Sequence, residues 1–367
     1  MRRNMREWAL AAKGMEVGYD KKPFIKNIEI RVRPGEILTL IGPNGSGKST
    51  ILKSLIGQLE LLGGRVYLGE RDMKGMSPGE IARTMSILMT QRPSPELMTC
   101  GEVAETGRYP YTGRLGMLRG EDRRKVCQAM EMVGAEKLYD FPFLQASDGQ
   151  RQRVLLARAI CQDPDVIVMD EPTSFLDIRG KLEFLELIVS LAREKKTAVI
   201  LSLHELDLAQ KISDRVLCIR DRRVDRYGTP EEIFQKGYME QLFRLKKGSY
   251  NPDFGSLELA GIQGQPSLFV IGGNGSGIET YRRLRRQAIP FAVGILQEND
   301  VDYPVASALA VRVVSDKAYE PMGEKAYKEA KRLMESCGRV VCCLNEFGTV
   351  NEMNRRLAQL AREKGWL

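Results

Sequence analysis

Nine consecutive residues, Gly42-Pro43-Asn44-Gly45-Ser46-Gly47-Lys48-Ser49-Thr50, combine glycines with a lysine and hydroxyl side chains. They follow the apolar run 37–41 and precede the apolar-rich run 51–56, so we predict a buried strand, a glycine-rich loop and the start of a helix. Glycines let backbone N–H groups curl around a phosphate chain, and the helix N-terminus adds a partial positive charge. We expect Lys48 to reach the β- and γ-phosphates of a nucleotide and the Ser49 hydroxyl to hold Mg²⁺. The residues predicted to contact the nucleotide here are Gly42, Asn44, Gly45, Ser46, Gly47, Lys48, Ser49 and Thr50.

Two carboxylates close another apolar run. Asp170 and Glu171 follow the predicted strand 165–169; Asp170 can hold Mg²⁺ through water, and Glu171 can polarise an attacking water. A strand that ends in Asp-Glu often only caps the next helix, but the glycine-rich loop upstream favours a catalytic pair. His204, the single histidine of the chain, closes the predicted strand 197–203, where we expect the γ-phosphate. A purely structural role is the alternative for His204.

Three further positions carry weaker signals. Tyr19 can stack on a purine ring or be a half-buried strand residue. Gln91 ends the apolar segment 86–90, and its amide oxygen can reach a metal at the carboxyl edge of a sheet. Ser147 and Gly149 precede a helical pattern, so they mark either a second anion site at a helix N-terminus or a plain N-cap.

Strands that end in these side chains, alternating with helical segments, predict an α/β protein. Its 367 residues are enough for two domains, and 43% hydrophobic and 28% charged residues are typical of a globular protein. The net charge of +8 is spread along the chain, so we expect no nucleic acid partner. A mildly positive surface also suits work beside an anionic membrane leaflet.

The cysteines and the apolar runs indicate the cellular compartment of the protein and its relation to a membrane. Seven scattered cysteines without metal-ligand spacing favour a reducing cytosol. The basic segment 1–8 lacks the apolar core of a signal peptide, and no run of about 18 apolar residues occurs. We therefore expect no membrane-spanning segment and any membrane role to depend on a partner.

Taken in order, these motifs resemble those of an ATP-binding-cassette (ABC) ATPase, over residues 10–245. The resemblance implies an ABC-type P-loop NTPase fold with a helical subdomain. The matching segments are Tyr19 (aromatic loop), Gly42–Thr50 (Walker A), Gln91 (Q-loop), Ser147–Gln150 (signature), Val166–Asp170 (Walker B), Glu171 (catalytic glutamate), Ser174–Asp177 (D-loop) and His204 (switch histidine).

The resemblance also implies a mechanism. Two cassettes face each other head to tail, and each ATP is held by Walker A of one and the signature of the other. Ser147 and the Gly149 amide would contact a γ-phosphate bound to Lys48 of the second subunit. Glu171 would activate water and His204 would hold the γ-phosphate. ATP and Mg²⁺ are the implied cofactors, and the implied metal ligands are Ser49, Gln91 and Asp170; Gln150 and Asp177 complete the implied nucleotide contacts.

Membrane partners follow from the same resemblance. The cassette would work as a homodimer on integral-membrane permease subunits, at the cytoplasmic face of the cell membrane, and indirectly with a substrate-binding protein. Two departures stand out. Ala146 and Asp148 replace the usual Leu and Gly of the signature, and 221–223 reads Asp-Arg-Arg where a hairpin turn usually has Gly in the middle. The first leaves the phosphate-contacting Ser and Gly in place, whereas the second puts only the turn geometry in question.

The subfamily can be narrowed by two segments. Residues 147–152, Ser-Asp-Gly-Gln-Arg-Gln, look like the signature of iron-complex importers, and 106–113 is similar to a segment of ATPases for ferric siderophores, haem and cobalamin. In that family the second segment helps form the groove for a permease coupling helix; a surface loop is the alternative. Another transported substrate, a soluble non-transport ABC ATPase and an inactive scaffold remain alternatives. The soluble class usually has two cassettes or a long coiled coil, and an inactive scaffold would not keep Lys48 and Glu171.

We predict three parts: an ATPase domain over 10–247, a linker over 248–260 and a small Rossmann-like α/β domain over 261–367. Strands 267–271, 291–296, 310–314 and 340–344 alternate with helices 278–287, 323–336 and 349–364. The glycine loop 272–277 lacks Lys-Ser, so it predicts a phosphate or carboxylate site or only a tight turn. The arginines at 282, 283, 285 and 286 form either a solvated face or a site. Our hypothesis is a regulatory or ligand-sensing domain.

Overall fold

A computed structural model describes residues 7–89, 97–113 and 116–367. The chain forms two compact units, one up to Tyr238 and one from Met239. This division lies ahead of the predicted domain end at 247, and the predicted linker holds the hairpin described below; the three-part division stays a prediction.

The first unit is built on two sheets. The strands are β1 (Leu10–Tyr19), β2 (Lys22–Val32), β3 (Ile37–Ile41), β4 (Gly63–Leu68), β5 (Arg71–Asp72), β6 (Met85–Leu88), β7 (Val166–Met169), β8 (Ala198–Ser202), β9 (Arg215–Arg220) and β10 (Arg223–Gly228). One sheet is antiparallel with the order β2-β1-β4-β5, and the other has six strands in the order β10-β9-β3-β8-β7-β6. In the larger sheet all neighbouring pairs are parallel except β9 and β10.

Among the described residues of this unit, eight helices belong wholly to it: α1 (Lys48–Leu55), α2 (Pro78–Thr84), α3 (Cys100–Glu105), α4 (Gly120–Met132), α5 (Asp148–Cys161), α6 (Ile178–Lys195), α7 (Leu206–Ile212) and α8 (Pro230–Ile233). Short 3-10 turns cover Met73–Gly75, Thr106–Tyr111, Glu136–Leu138 and Phe143–Gln145. Helices α3, α4 and α5 pack on one another as a helical subdomain. The predicted P-loop NTPase fold with a helical part is thereby confirmed.

Both sheets share one hydrophobic core. Leu10 and Met15 of β1 pack with Ile51 of α1 and with Val168 and Ile200 of the parallel sheet, all fully shielded from solvent. The central strands are apolar on both faces, as strands covered on both sides must be. Burial of β3, β7 and β8 therefore fixes the position of the residues that follow their carboxyl ends.

The turn between β9 and β10 tolerates the unusual Asp-Arg pair. Asp221 and Arg222 both have positive φ, 51° and 58°, the geometry of a two-residue hairpin turn that normally favours Asn or Gly. The guanidinium of Arg222 lies 4.7 Å from the centre of the Phe24 ring, and this cation–π contact stabilises the turn.

The second unit is a parallel four-stranded sheet in the order β15-β14-β13-β16, preceded by a hairpin. Its elements are α9 (Tyr238–Phe243, which begins at the division), β11 (Ser249–Asn251), β12 (Ser256–Glu258), β13 (Leu268–Ile271), α10 (Ile278–Arg286), β14 (Phe291–Gln297), α11 (Asp302–Leu309), β15 (Arg312–Asp316), α12 (Glu324–Cys337), β16 (Val340–Cys342) and α13 (Glu352–Glu363).

The predicted Rossmann-like layout is confirmed, with two differences. The sequence did not predict α11, whose eight residues carry little helical periodicity. The segment predicted as a linker forms the antiparallel hairpin β11–β12. Two apolar layers cover the sheet: α10 and α11 pack on one face through Tyr281 and Ala306, while α12 and α13 pack on the other through Ala330 and Leu357.

The side chain of buried Asn354 hydrogen-bonds helix α13 to strand β14. Asn354 is 1% exposed; its Oδ1 accepts from the Ile295 N–H at 2.8 Å and its Nδ2 donates to the Ile295 carbonyl at 3.0 Å. The ladder between β14 and β15 is irregular between Val293 and Leu296, so Asn354 replaces the strand partner that Ile295 lacks.

We expect Asn354→Leu to destabilise the second unit by about 1–3 kcal/mol for each of the two backbone groups left unpaired. The measurement is urea unfolding followed by Trp366 fluorescence in a Trp8→Phe background, since these are the only two tryptophans. Gln359→Leu also replaces an amide side chain by leucine, at an exposed site of α13, and should leave the midpoint unchanged. Equal midpoints for the two variants would contradict the role of Asn354.

Candidate nucleotide site

The glycine-rich loop joins β3 to α1, and its backbone adopts dihedral angles and close contacts that residues with a side chain do not tolerate. Gly42 has φ 152° and Gly47 has φ 111°. A Cβ at Gly42 would lie 2.2 Å from the Ile219 carbonyl oxygen, and one at Gly47 would lie 2.5 Å from Ile25 Cδ1. Both glycines are therefore required by close packing as well as by φ.

Lys48 begins α1 and is buried, at 5% exposure. Its Nζ donates to the carbonyl oxygens of Gly42 at 2.8 Å and Pro43 at 3.3 Å, so the side chain curls back over the loop. Burial lowers the pKa of Lys48, and the nearby carboxylates of Glu171 and Asp170 act against that shift. The ammonium group is thus held beside the backbone that would surround a phosphate.

Asp170 connects the carboxyl ends of β7 and β8 with the amino-terminal end of α1. It follows β7, and its Oδ1 accepts from Ser202 Oγ of β8 at 2.7 Å and from Ser49 Oγ of α1 at 3.3 Å. Ser202 Oγ also accepts from the Glu171 N–H at 2.9 Å. One buried hydroxyl therefore positions both carboxylate residues.

Glu171 and His204 face each other across the sheet edge. His204 Nε2 and Glu171 Oε1 lie 2.5 Å apart, and Ser174 Oγ lies 3.3 Å from Glu171 Oε2. Glu171 has a positive φ of 48°, which is rare outside glycine and turns its side chain away from the strand path. The neighbouring strands β7 and β8 place the pair.

These groups meet around a cavity of about 480 Å³. Its lining consists of Phe24, Asn44, Gly45, Gly47, Lys48, Ser49, Thr50, Glu171 and His204. The structure thus brings together the glycine-rich loop, one carboxylate and the histidine that the sequence singled out. A volume of this size is within the range of small-molecule sites.

The aromatic residue in the cavity lining is Phe24, which the sequence interpretation missed. Tyr19 is half exposed and touches the loop through its hydroxyl, 3.2 Å from Thr50 Oγ1. Phe24 lies on β2, the partner of the strand that ends at Tyr19. The signal available in the sequence was a second aromatic residue shortly after Tyr19.

The oxygen atoms of Ser49 and Asp170 suit a hard divalent cation. A hydroxyl and a carboxylate oxygen 3.3 Å apart are the ligand types that Mg²⁺ takes alongside phosphate oxygens and water. Within the described residues there is no group of three or more His, Cys, Asp or Glu that could hold a metal ion by itself. Gln91, the third predicted ligand, lies outside the described residues.

The predicted signature residues do not line this cavity. Ser147 caps α5: its Oγ accepts from the Gln150 N–H at 3.3 Å, and Gln150 Oε1 accepts from the Ser147 N–H at 2.9 Å. An added Cβ at Gly149 would lie 3.7 Å from Leu176 Cδ2, an ordinary van der Waals contact, and Gly149 is half-buried. Asp177 caps α6 through the Gly180 N–H at 2.7 Å. These residues form a separate surface within the chain.

The segment 106–113 borders a second, larger cavity of about 760 Å³. Thr106, Gly107, Tyr109 and Pro110 line it together with apolar residues such as Ile81, Met85 and Val103. Gly107 allows close packing, since a Cβ there would lie 2.1 Å from the Arg158 carbonyl oxygen. The groove between the helical subdomain and the parallel sheet is therefore built partly by the predicted subfamily segment.

In the second unit the arginine cluster is partly used in packing. Arg282 pairs with Glu258, which raises the pKa of Arg282, and Arg285 Nε donates to the Ala260 carbonyl at 3.3 Å. These contacts tie α10 to the end of β12 and to the segment that follows it.

Comparisons with known proteins place these observations in a family. The model of the ABC transporter family matches residues 25–174, and that of the MJ0874 family matches residues 291–366. An uncharacterized ABC transporter ATP-binding protein of Methanocaldococcus jannaschii is 36% identical over 78% of this chain and 99% of its own length. An iron(3+)-hydroxamate import ATP-binding protein of Bacillus subtilis is 33% identical over 65% of this chain and 88% of its own.

A solved structure agrees with the fold. A dimeric ATP-binding cassette in a post-hydrolysis state, bound to ADP and Pi, superposes with a TM-score of 0.53. It is 25% identical and covers 60% of this chain and 98% of that cassette. The family match over residues 25–174 includes the glycine-rich loop and the paired carboxylates. The chain belongs to the family of ABC transporter ATP-binding proteins and is an ATPase.

Proposed function

We propose that this chain is the energy-coupling subunit of an ABC importer for a ferric siderophore, with haem or cobalamin as the alternative cargo. The observation that carries the proposal is the cavity in which Lys48, Ser49, Glu171 and His204 meet. Its residues come from different elements, and together they match what hydrolysis of a nucleotide requires.

Each side chain receives a role from its position. The loop N–H groups and the Lys48 ammonium bind the β- and γ-phosphates. Glu171 polarises the attacking water. His204, whose Nε2 lies 2.5 Å from Glu171 Oε1, keeps that water oriented towards the γ-phosphate. Ser49 and Asp170, with Gln91, would hold Mg²⁺, which neutralises charge on the phosphates. Catalysis in such a site is mostly positioning and electrostatics.

The separate location of Ser147 and Gly149 supports a shared site. Both lie at the exposed start of α5 and do not line the cavity of their own chain. Free N–H groups at a helix N-terminus attract phosphate. In a head-to-tail homodimer, Ser147 and Gly149 would cover a nucleotide held by Lys48 of the second subunit. ATP would then join the two chains.

The groove lined by Tyr109 and Pro110 supports attachment to a permease. It is apolar, open and about 760 Å³ in volume, and an apolar groove of this kind accepts an amphipathic helix. No helix within the described ranges is long and apolar enough to cross a membrane. Attachment to a permease through this groove would hold the chain at a membrane, and we infer that it works at the cytoplasmic face.

The cargo is inferred from the segments 147–152 and 106–113 and from the iron(3+)-hydroxamate relative. A permease that moves an iron complex would receive the force of ATP-driven closure through the groove.

We expect Glu171→Gln to lower the ATPase rate by about 10²–10⁴-fold, the usual contribution of a positioned general base, while ATP-driven dimerisation persists. Phosphate release and size-exclusion chromatography with ATP measure the two effects. Glu186→Gln, an exposed glutamate on α6, is the matched control and should behave like the parent.

The same pair of variants tests the cargo. Cells expressing Glu171→Gln should lose uptake of radiolabelled ferric hydroxamate, while cells expressing Glu186→Gln keep it. Loss of haem or cobalamin uptake instead would select the alternative cargo. Unimpaired uptake of all three with an inactive ATPase would contradict the proposed cargo class, and parent-like hydrolysis would contradict the role of Glu171.

Ser202 offers a test of how the carboxylates are held. Ser202→Ala removes the hydroxyl that bonds Asp170 and the Glu171 N–H, so we expect kcat/KM for ATP to fall roughly 10- to 100-fold, the equivalent of one lost hydrogen bond to a charged group. Ser190→Ala changes a half-buried serine on α6 that does not line the cavity, and it is the control. A parent-like rate for Ser202→Ala, with an unchanged melting temperature, would show that the Ser202 hydroxyl does not position the two carboxylate residues.

A further inference from the structure

The second unit contains its own cavity at the carboxyl edge of its parallel sheet. It measures about 380 Å³ and lies between the loops after β13, β14 and β16 and the start of α13. In the order β15-β14-β13-β16, the chain adds β14 and β15 on one side of β13 and then crosses over to add β16 on the other side. The direction in which strands are added therefore reverses between β13 and β16. Ligands of open parallel sheets bind at this switch point, outside the carboxyl ends of the strands.

The glycine loop 272–277 beside this cavity is already filled by carboxylates of the chain. The Asn274 N–H donates to both oxygens of Asp300, at 2.9 and 3.0 Å. The Gly277 N–H donates to Asp302 Oδ2 at 2.9 Å, and the Tyr281 hydroxyl donates to the same oxygen at 3.1 Å. Two of the N–H groups that would surround a phosphate are therefore taken.

The glycines themselves make room for these acidic residues. A Cβ at Gly277 would lie 2.6 Å from Asp302 Oδ2 and 2.2 Å from the Tyr281 hydroxyl, and one at Gly272 would lie 2.2 Å from the same hydroxyl. Asp302 is fully buried, and burial raises its pKa, against the effect of the Gly277 N–H. The loop is built around internal carboxylates, so the interpretation as a site for an external phosphate or carboxylate is disfavoured.

The lining of the cavity also opposes an anion. Among its residues there is no Lys, Arg or His, and Asp300 is the charged one. The other polar groups are amides, Asn274, Gln297 and Asn299 among them, and the apolar groups include Met322 and Leu344. Amides donate and accept hydrogen bonds but carry no charge. The cavity therefore suits a ligand that is neutral, bears hydroxyl or amino groups and has an apolar face.

The volume of the cavity limits the size of the ligand. Sites for drug-sized molecules span roughly 300–1,000 Å³, so about 380 Å³ is at the low end and is too small to enclose a haem or a corrinoid. An acidic residue in the loop after the second strand of such a sheet is placed to accept hydrogen bonds from ribose hydroxyls. Amide side chains can match the donor and acceptor edge of a base.

We propose that the second unit binds an uncharged, hydroxyl-bearing ligand of nucleoside size at this edge, with Asp300 accepting from the sugar hydroxyls, the amides contacting the base and Met322 and Leu344 packing on its face. The site is independent of the ATP cavity of the first unit. It gives the C-terminal unit a ligand that is neither the nucleotide hydrolysed nor the cargo moved.

The test is isothermal titration of the full-length protein with adenosine, guanosine, cytidine and uridine. Two neighbouring exposed residues provide a matched pair. Asn299→Trp places a large side chain in the cavity lining, while Glu298→Trp places the same side chain just outside it. We expect one of the four nucleosides to bind, Asn299→Trp to weaken that binding at least tenfold, and Glu298→Trp to leave it unchanged.

Competition with inorganic phosphate checks the charge argument. Millimolar phosphate should leave nucleoside binding unchanged, because the loop N–H groups are held by Asp300 and Asp302. Binding of none of the four nucleosides would overturn the proposal. So would equal binding by Asn299→Trp and Glu298→Trp, or displacement of the nucleoside by phosphate.

Discussion

The carboxylate of Asp170 is the contact on which the proposed ATP site depends. It stands at the end of β7 and bonds the hydroxyls of Ser202 on β8 and Ser49 on α1. Through Ser202 it also determines where the Glu171 backbone lies. A buried carboxylate needs such partners, because an unpaired one is expensive in an apolar sheet. The same bonds that satisfy Asp170 therefore set the spacing between the glycine-rich loop and the catalytic glutamate.

The two glycine loops of the chain show how a single pattern serves opposite purposes. In the first unit the loop curls around a buried lysine and borders an open cavity. In the second, a similar run of glycines closes on Asp300 and Asp302 from the loop and helix after β14. One loop is prepared for phosphate, and in the other internal carboxylates occupy that place. The missing Lys-Ser pair sets the second loop apart locally, but local sequence leaves an anion site and a tight turn open, since Asp300 and Asp302 lie outside the loop.

Much of the architecture followed from local pattern, and the omissions have physical reasons. Strands β3, β7 and β8 are short, apolar and bounded by loop residues, so they were predicted from the sequence. Ser202 was missed because a single serine in an apolar strand gives no sign of the bond to Asp170 across the sheet. Helix α11 was missed because much of it is buried or half-buried and its periodicity is weak. Phe24 was missed because Tyr19 already supplied an aromatic candidate.

We infer that each ATP site is completed by a second copy of the chain, since Ser147 and Gly149 lie away from the cavity that Lys48 and Glu171 line. Mixing two inactive variants, Lys48→Ala and Ser147→Arg, tests it most directly. Randomly mixed dimers are half heterodimers, and each heterodimer keeps one intact site, so phosphate release should recover to about a quarter of the parent rate. A mixture no more active than its two components would show that Lys48 and Ser147 act in the same chain, and would contradict the account.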